Sequence, residues 1–211
     1  METKKVLEIL YLLEKNYPNA KYYLNFNNPL ELLVAAILSA QCRSEVVNAV
    51  TEKLFKKYKK TEDYAKAEFE DLVKDISDIT YPGAKAKNII NACKILVEKH
   101  NSEVPKAHKD LTSLPGIGPK TANVIQQNGF DVVEGIVIDT HVLRLAYRLG
   151  LTSNSKNADK TEKELKNLIP KEKWKKLPWL MKDHGRAICK APVPLCSKCF
   201  LFDLCPKQGV T

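Results

Sequence analysis

The sequence predicts an all-α protein, on three observations. Apolar residues recur at spacings of three and four along most of the chain. The alternation of β-branched and polar residues that marks strands is scarce. The longest apolar run, LELLVAAILSA at 30–40, is bounded by Pro29 and by QCRSE, so it reads as a buried helix too short to span a bilayer.

Taken in order, Val6, Leu7, Leu10 and Leu13 mark a first helix that stops before Pro18. Residues 29–42 form a second, apolar on nearly all sides and therefore central. Val46, Val47, Val50, Leu54 and Phe55 give a third, which ends in KKYKK. Two short helices follow at about 61–67 and 68–76, then a long one at 84–99. A short helix at about 106–112 leads into the turn LPGIG, and a further helix covers 119–128. Asp139 opens another, running to Leu149, and two more cover 158–168 and 170–187. A cysteine-rich loop completes the chain, and no internal repeat or low-complexity segment interrupts it.

A chain of 211 residues with 44% hydrophobic and 28% charged content has room for one domain or two small ones. Its formal net charge of +9 points to an acidic polymer as partner, nucleic acid before membrane. That charge is almost all lysine; the arginines are Arg43, Arg144, Arg148 and Arg186. The N-terminal stretch carries acids among its apolar residues and lacks a small-residue cleavage site, so the cytoplasm is the expected compartment.

Cys189, Cys196, Cys199 and Cys205 follow the order C-x6-C-x2-C-x5-C. A disulfide framework does not suit a chain of this size without a secretory signal. Structural zinc usually draws on two close cysteine pairs, and here only Cys196 and Cys199 form one. Spread-out thiolates around one close pair lean toward a [4Fe–4S] cubane, with zinc as the alternative. Cys42 and Cys93 read as small buried hydrophobes on apolar helix faces.

In LPGIGPKTANVI (114–125), Gly116 and Gly118 flank one apolar residue between two helices. Pro119 suits the first helical position, and free N–H groups at that helix start can grip a phosphate. A helix–hairpin–helix DNA-binding element is the natural interpretation, and an αα-hairpin whose glycines are purely structural is the alternative. Lys120 stands where the helix macrodipole disfavours a cation, so helix stability does not explain it. A phosphate anchor and an amine nucleophile both would. Asp139, in IVIDTHVLR, can be a plain helix N-cap, and capping keeps a carboxylate ionised and fixed. Such a carboxylate could also stabilise positive charge developing on a sugar.

LPGIGPKTANVI, VIDTHV, HGRAICK, SAQCR, KAKNII and the cysteine order together resemble the endonuclease III family of DNA glycosylases, over essentially the whole chain. The resemblance implies two helical domains flanking a DNA-binding cleft. One is a six-helix domain at 23–133, with the helix–hairpin–helix at about 106–128. The other is discontinuous, residues 1–22 plus 134–211, and carries the cluster loop at 189–205. Lys120 maps onto the catalytic lysine and Asp139 onto the catalytic aspartate, at opposite lips of the cleft. Cys189, Cys196, Cys199 and Cys205 map onto the [4Fe–4S] ligands. Gln41 aligns with a glutamine that fills the gap left by a flipped nucleotide, and Tyr81 lies near the usual wedge. His141 is family-typical, and His184 is expected near the cluster. Lys85, Lys87, Lys190 and Lys198 are candidate contacts to the DNA backbone.

The implied activity is that of a bifunctional glycosylase/AP lyase, acting as a monomer on oxidised pyrimidines in double-stranded DNA at the nucleoid. Departures from the family pattern bear on damage preference. QCRSE places Arg43 and Ser44 where a threonine and an acid are usual, and Thr80 and Pro82 alter the wedge loop. A mismatch glycosylase acting on thymine or uracil opposite guanine is the alternative within the family. A non-catalytic helix–hairpin–helix DNA-binding module is the alternative outside it.

Overall fold

The computed structural model describes residues 3–210, and all regular structure within them is helical. The order is α1 (Thr3–Asn16), α2 (Pro29–Ser39), α3 (Ser44–Lys57), α4 (Thr61–Ala65), α5 (Phe69–Asp75) and α6 (Pro82–Lys99). It continues with α7 (His108–Thr112), α8 (Pro119–Gly129), α9 (Thr140–Arg148), α10 (Ala158–Leu168) and α11 (Leu177–Ala187). The chain divides into two compact units, Tyr23–Val132 and one built from the segments before Tyr23 and after Val132. None of the described helices is long and apolar enough to cross a membrane.

In the Tyr23–Val132 unit α2 is central. Every residue from Leu32 to Leu38 is buried, and α3, α6 and α8 pack around the helix. Its start is written locally: the Asn28 side chain accepts the Glu31 N–H at 2.9 Å, and Pro29 occupies the first turn. Its end is not. The apolar pattern predicts a helix to residue 42, but α2 stops at Ser39, and Gln41 takes a left-handed φ of 53°. The Lys85 ammonium, on α6, donates to the carbonyls of Leu38 at 2.8 Å and Ala40 at 2.6 Å. Those acceptors are thus satisfied without a further helical turn. Cys42 consequently lies in the turn after α2, half-buried, and not on a helix face; Cys93 on α6 is fully buried as expected.

In the other unit α11 packs on α1 and on α9. Its core joins Val6, Ile9 and Leu13 of α1 to Val142 and Leu145 of α9 and to Leu180 and Met181 of α11. Each such side chain contributes about 1.5–3 kcal/mol by leaving water. The single helix expected over 170–187 is two elements, a 3-10 turn at Lys171–Lys173 and then α11. Pro178, which has no N–H to donate, fits the first turn of α11 and could not sit inside a longer helix.

Candidate active site and cysteine cavity

Ile117 of the hairpin turn between α7 and α8 is buried, while Gly116 and Gly118 on either side are exposed. The two glycines do different things. Gly116 has φ +82°, and a Cβ there would meet the Asn88 side chain at 3.0 Å. It is required by backbone conformation and by packing against α6. Gly118 has an ordinary φ of −89°, and a Cβ there would meet nothing within 4 Å. Its lack of a side chain leaves the start of α8 open, where no side chain caps the helix. Lys120 stands in that first turn, exposed, while Ala122 and Ile125 hold α8 in the core.

Asp139 is half-buried at the N-cap of α9, its Oδ1 accepting the Val142 N–H at 2.8 Å. The buried Ile136 and Ile138 anchor the chain leading to it. Two residues along, His141 packs against α11: its Nδ1 lies 3.2 Å from the Arg144 guanidinium, and a Cβ on Gly185 would strike it at 2.7 Å. Burial pushes the His141 pKa down, with a smaller opposing pull from Asp139.

The same helix ends on the cysteine loop. Arg144 donates to the Cys189 carbonyl at 3.1 Å and to the Gly185 carbonyl at 3.2 Å. Arg148, itself buried, donates to the carbonyls of Lys190 at 2.8 Å and Pro192 at 2.9 Å, and approaches the Cys189 Sγ at 3.5 Å. Cys189, Cys196, Cys199 and Cys205 all line one cavity of about 390 Å³, a volume that includes the solvent at its mouth. The Leu201 N–H points at the Cys199 Sγ from 3.4 Å, and His184 Nε2 lies 3.6 Å from the same sulfur. Burial pushes the His184 pKa down to about 4, so the ring beside the cavity is neutral. Among the described residues no three His, Cys, Asp or Glu side chains converge on the position of a single metal ion. Four thiols lining one cavity are a donor set that a thiolate-bound metal group could use.

Gln41 and Tyr81 both have a left-handed backbone, at φ 53° and 57°, and both are exposed, Tyr81 by 65%. Lys87, Lys190 and Lys198 are exposed as well. Lys85 is not. It is 6% exposed, and both contacts of its ammonium are to carbonyls of this chain, which corrects its reading as a phosphate contact. Its role escaped the sequence because a lysine in KAKNII looks like any solvated one. Arg148 escaped too, although a buried-site arginine in a chain that otherwise spends its positive charge on lysine was a usable signal.

An all-helical chain whose α7 and α8 frame a glycine turn with an open helix start is a helix–hairpin–helix protein. Residues 34–171 match the model of the HhH-GPD superfamily of base excision DNA repair proteins. Endonuclease III of Synechocystis sp. is 41% identical over 203 residues, 96% of this chain and 92% of that one. Endonuclease III of Escherichia coli is 39% identical over 206 residues, 97% of this chain and 96% of the relative. Among solved structures, a trapped endonuclease III–DNA covalent intermediate superposes with a TM-score of 0.91 at 40% identity, covering 98% of this chain and 97% of that one. A thermostable thymine-DNA glycosylase shares the fold, with a TM-score of 0.86 at 21% identity over 97% of this chain and 96% of that one. The chain belongs to the endonuclease III family of DNA glycosylase/AP lyases, within the HhH-GPD superfamily.

Proposed function

We propose that this enzyme removes oxidised pyrimidines from double-stranded DNA and cuts the strand on the 3′ side of the resulting abasic site, with Lys120 as nucleophile. The observation that carries the reading is an exposed lysine on the uncapped first turn of α8, where helix stability gives no reason for a cation. A relative 40% identical to this chain has been trapped as a covalent intermediate with DNA, as an amine nucleophile requires.

The target nucleotide first leaves the base stack, since its C1′ is out of reach inside the duplex. The Lys120 amine attacks C1′, and the base departs with the electron pair of the glycosidic bond. Asp139, fixed by its bond to the Val142 N–H, stabilises the positive charge that develops on the sugar ring. Loss of the amine proton and opening of the ring give a Schiff base between Lys120 and C1′. That iminium acidifies the C2′ proton; its removal and expulsion of the 3′ phosphate complete the β-elimination.

The residues around these two serve binding. Gly116 and Gly118 present the hairpin backbone to a phosphate, Gln41 and Tyr81 occupy the space vacated by the flipped nucleotide, and His141 supports the Asp139 turn beside the DNA. Cys189, Cys196, Cys199 and Cys205 would hold a [4Fe–4S] cluster, which when bound would tie together the loop that follows α11 at four points. An absorption spectrum of anaerobically purified protein checks this: broad absorbance near 400 nm is expected, and a colourless zinc protein would overturn it. The enzyme works as a monomer on the nucleoid.

Borohydride reduction during turnover on an abasic duplex tests the lysine assignment. Wild type should yield a covalent protein–DNA adduct and Lys120→Ala none; an undiminished adduct from the variant removes Lys120 from the mechanism. A panel of duplexes carrying oxidised pyrimidines, or thymine or uracil opposite guanine, fixes the base preference.

A further inference from the structure

The geometry points to Lys85 as a positioning residue that sets the placement of Gln41 relative to Tyr81 and thereby the enzyme's preference for DNA with an emptied base position. The inference rests on the reading of Gln41 and Tyr81 as gap-filling residues.

Lys85 is joined to both residues' segments. Its backbone N–H donates to the Tyr81 carbonyl at 3.2 Å, closing the first turn of α6. Its ammonium donates to the carbonyls of Leu38 at 2.8 Å and Ala40 at 2.6 Å, the latter the residue directly before Gln41. One residue therefore bridges the two segments, from main chain to side chain. Two further acceptors at this end of α2 are served locally, Ala36 by the Ser39 hydroxyl at 2.9 Å and Ser39 by the Cys42 N–H at 3.1 Å. Through the Ala40 carbonyl this ammonium ties the chain just before Gln41 to α6.

The backbone on either side supports a role beyond helix capping. Gln41 and Tyr81 are both left-handed without being glycine, and both project to solvent. Left-handed side-chain-bearing residues persist where the surroundings over-determine them, and such strain gathers at ligand clamps. A helix end commonly places a left-handed residue where Gln41 stands, but that residue is usually glycine. A lysine suits the task because a cation at a helix C-terminus is favoured by the dipole, while its position inside the unit denies it to solvent and phosphate.

The test is a double-mutant cycle read as a binding ratio: affinity for a duplex with a tetrahydrofuran abasic analogue divided by affinity for the undamaged duplex. Gln41→Ala and Tyr81→Ala should each lower that ratio. Lys85→Met should lower it about tenfold with undamaged-DNA affinity unchanged, and Lys85→Met added to Gln41→Ala should lower it no further. A ratio unaffected by Lys85→Met, an additive loss, or an equal loss on undamaged DNA would each make Lys85 a structural cap only. Unchanged ratios in both Gln41→Ala and Tyr81→Ala would instead overturn the gap-filling reading itself. Should Lys85→Met melt below the assay temperature, Lys85→Gln, which reaches one carbonyl at most, is carried through the same cycle with a smaller expected loss.

Discussion

Asp139 carries two loads, a helix cap and a charge, and a single substitution separates them. Asparagine caps a helix about as well as aspartate, because either side chain can accept the N–H that Val142 offers at 2.8 Å. Asp139→Asn should therefore melt within about 0.5 kcal/mol of wild type. It lacks the negative charge, and removing one group aimed at transition-state charge costs about 10²–10³-fold in rate. Single-turnover base release should fall by that order while thermal unfolding stays put. A variant that unfolds early, or one with wild-type rates, would assign Asp139 to capping alone. Lys120 admits no such separation by charge, which is why its test is the covalent adduct.

The hairpin turn shows at the scale of an element why two glycines of one motif are not equivalent. Gly116→Ala places a Cβ 3.0 Å from the Asn88 side chain at a φ of +82° and should destabilise the protein by about 1–3 kcal/mol, read by thermal or urea unfolding. Gly118→Ala enters open space at an ordinary φ, so unfolding should be unchanged while DNA binding weakens. Equal effects of the two on stability would remove the distinction. The start of α4 gives a pH-dependent counterpart. The Asp63 carboxylate accepts the backbone N–H groups of Lys59 at 2.8 Å and Lys60 at 2.9 Å, and these bonds hold its pKa below the ordinary 3.8. A depressed carboxyl stabilises the fold fully above its unfolded pKa and loses that contribution as pH falls through the folded value. The stability gap between wild type and Asp63→Ala should thus be constant near neutral pH and close below pH 3.8. Elements bounded by local chemistry were legible in the sequence: Pro29 opens α2, Pro119 opens α8, and Asp139 caps α9. The early end of α2 was not, because the group that satisfies it comes from Lys85, 45 residues away from Ala40. Similarly, the cysteine spacing marked the loop as a candidate metal site, but nothing in it announced that α9 would grip that loop with Arg144 and Arg148.

Over the whole molecule the net charge of +9 turns DNA binding into an ion-exchange reaction. Each phosphate neutralised by a lysine or arginine releases condensed counterions, so log affinity falls with log salt by about 0.9 for every phosphate contacted. An enzyme with several such contacts should lose about 10²-fold or more in affinity for undamaged duplex between 50 and 200 mM KCl. Near-indifference to salt would contradict binding through the phosphate backbone. The same plot also separates the two uses of Lys120 that its position alone leaves open. If its ammonium pairs with a phosphate, Lys120→Ala should reduce the magnitude of the slope by about 0.9. If its amine addresses C1′ of a flipped nucleotide, undamaged DNA offers it no partner and the slope should not change. Lys53→Ala, which removes an exposed lysine of α3 to which no DNA contact is assigned, provides the reference for a charge lost without a mechanistic role. An unchanged slope in Lys120→Ala together with loss of the borohydride adduct is the joint result expected of a nucleophile. A reduced slope with the adduct intact would instead make residue 120 an anchor and move the reacting amine elsewhere.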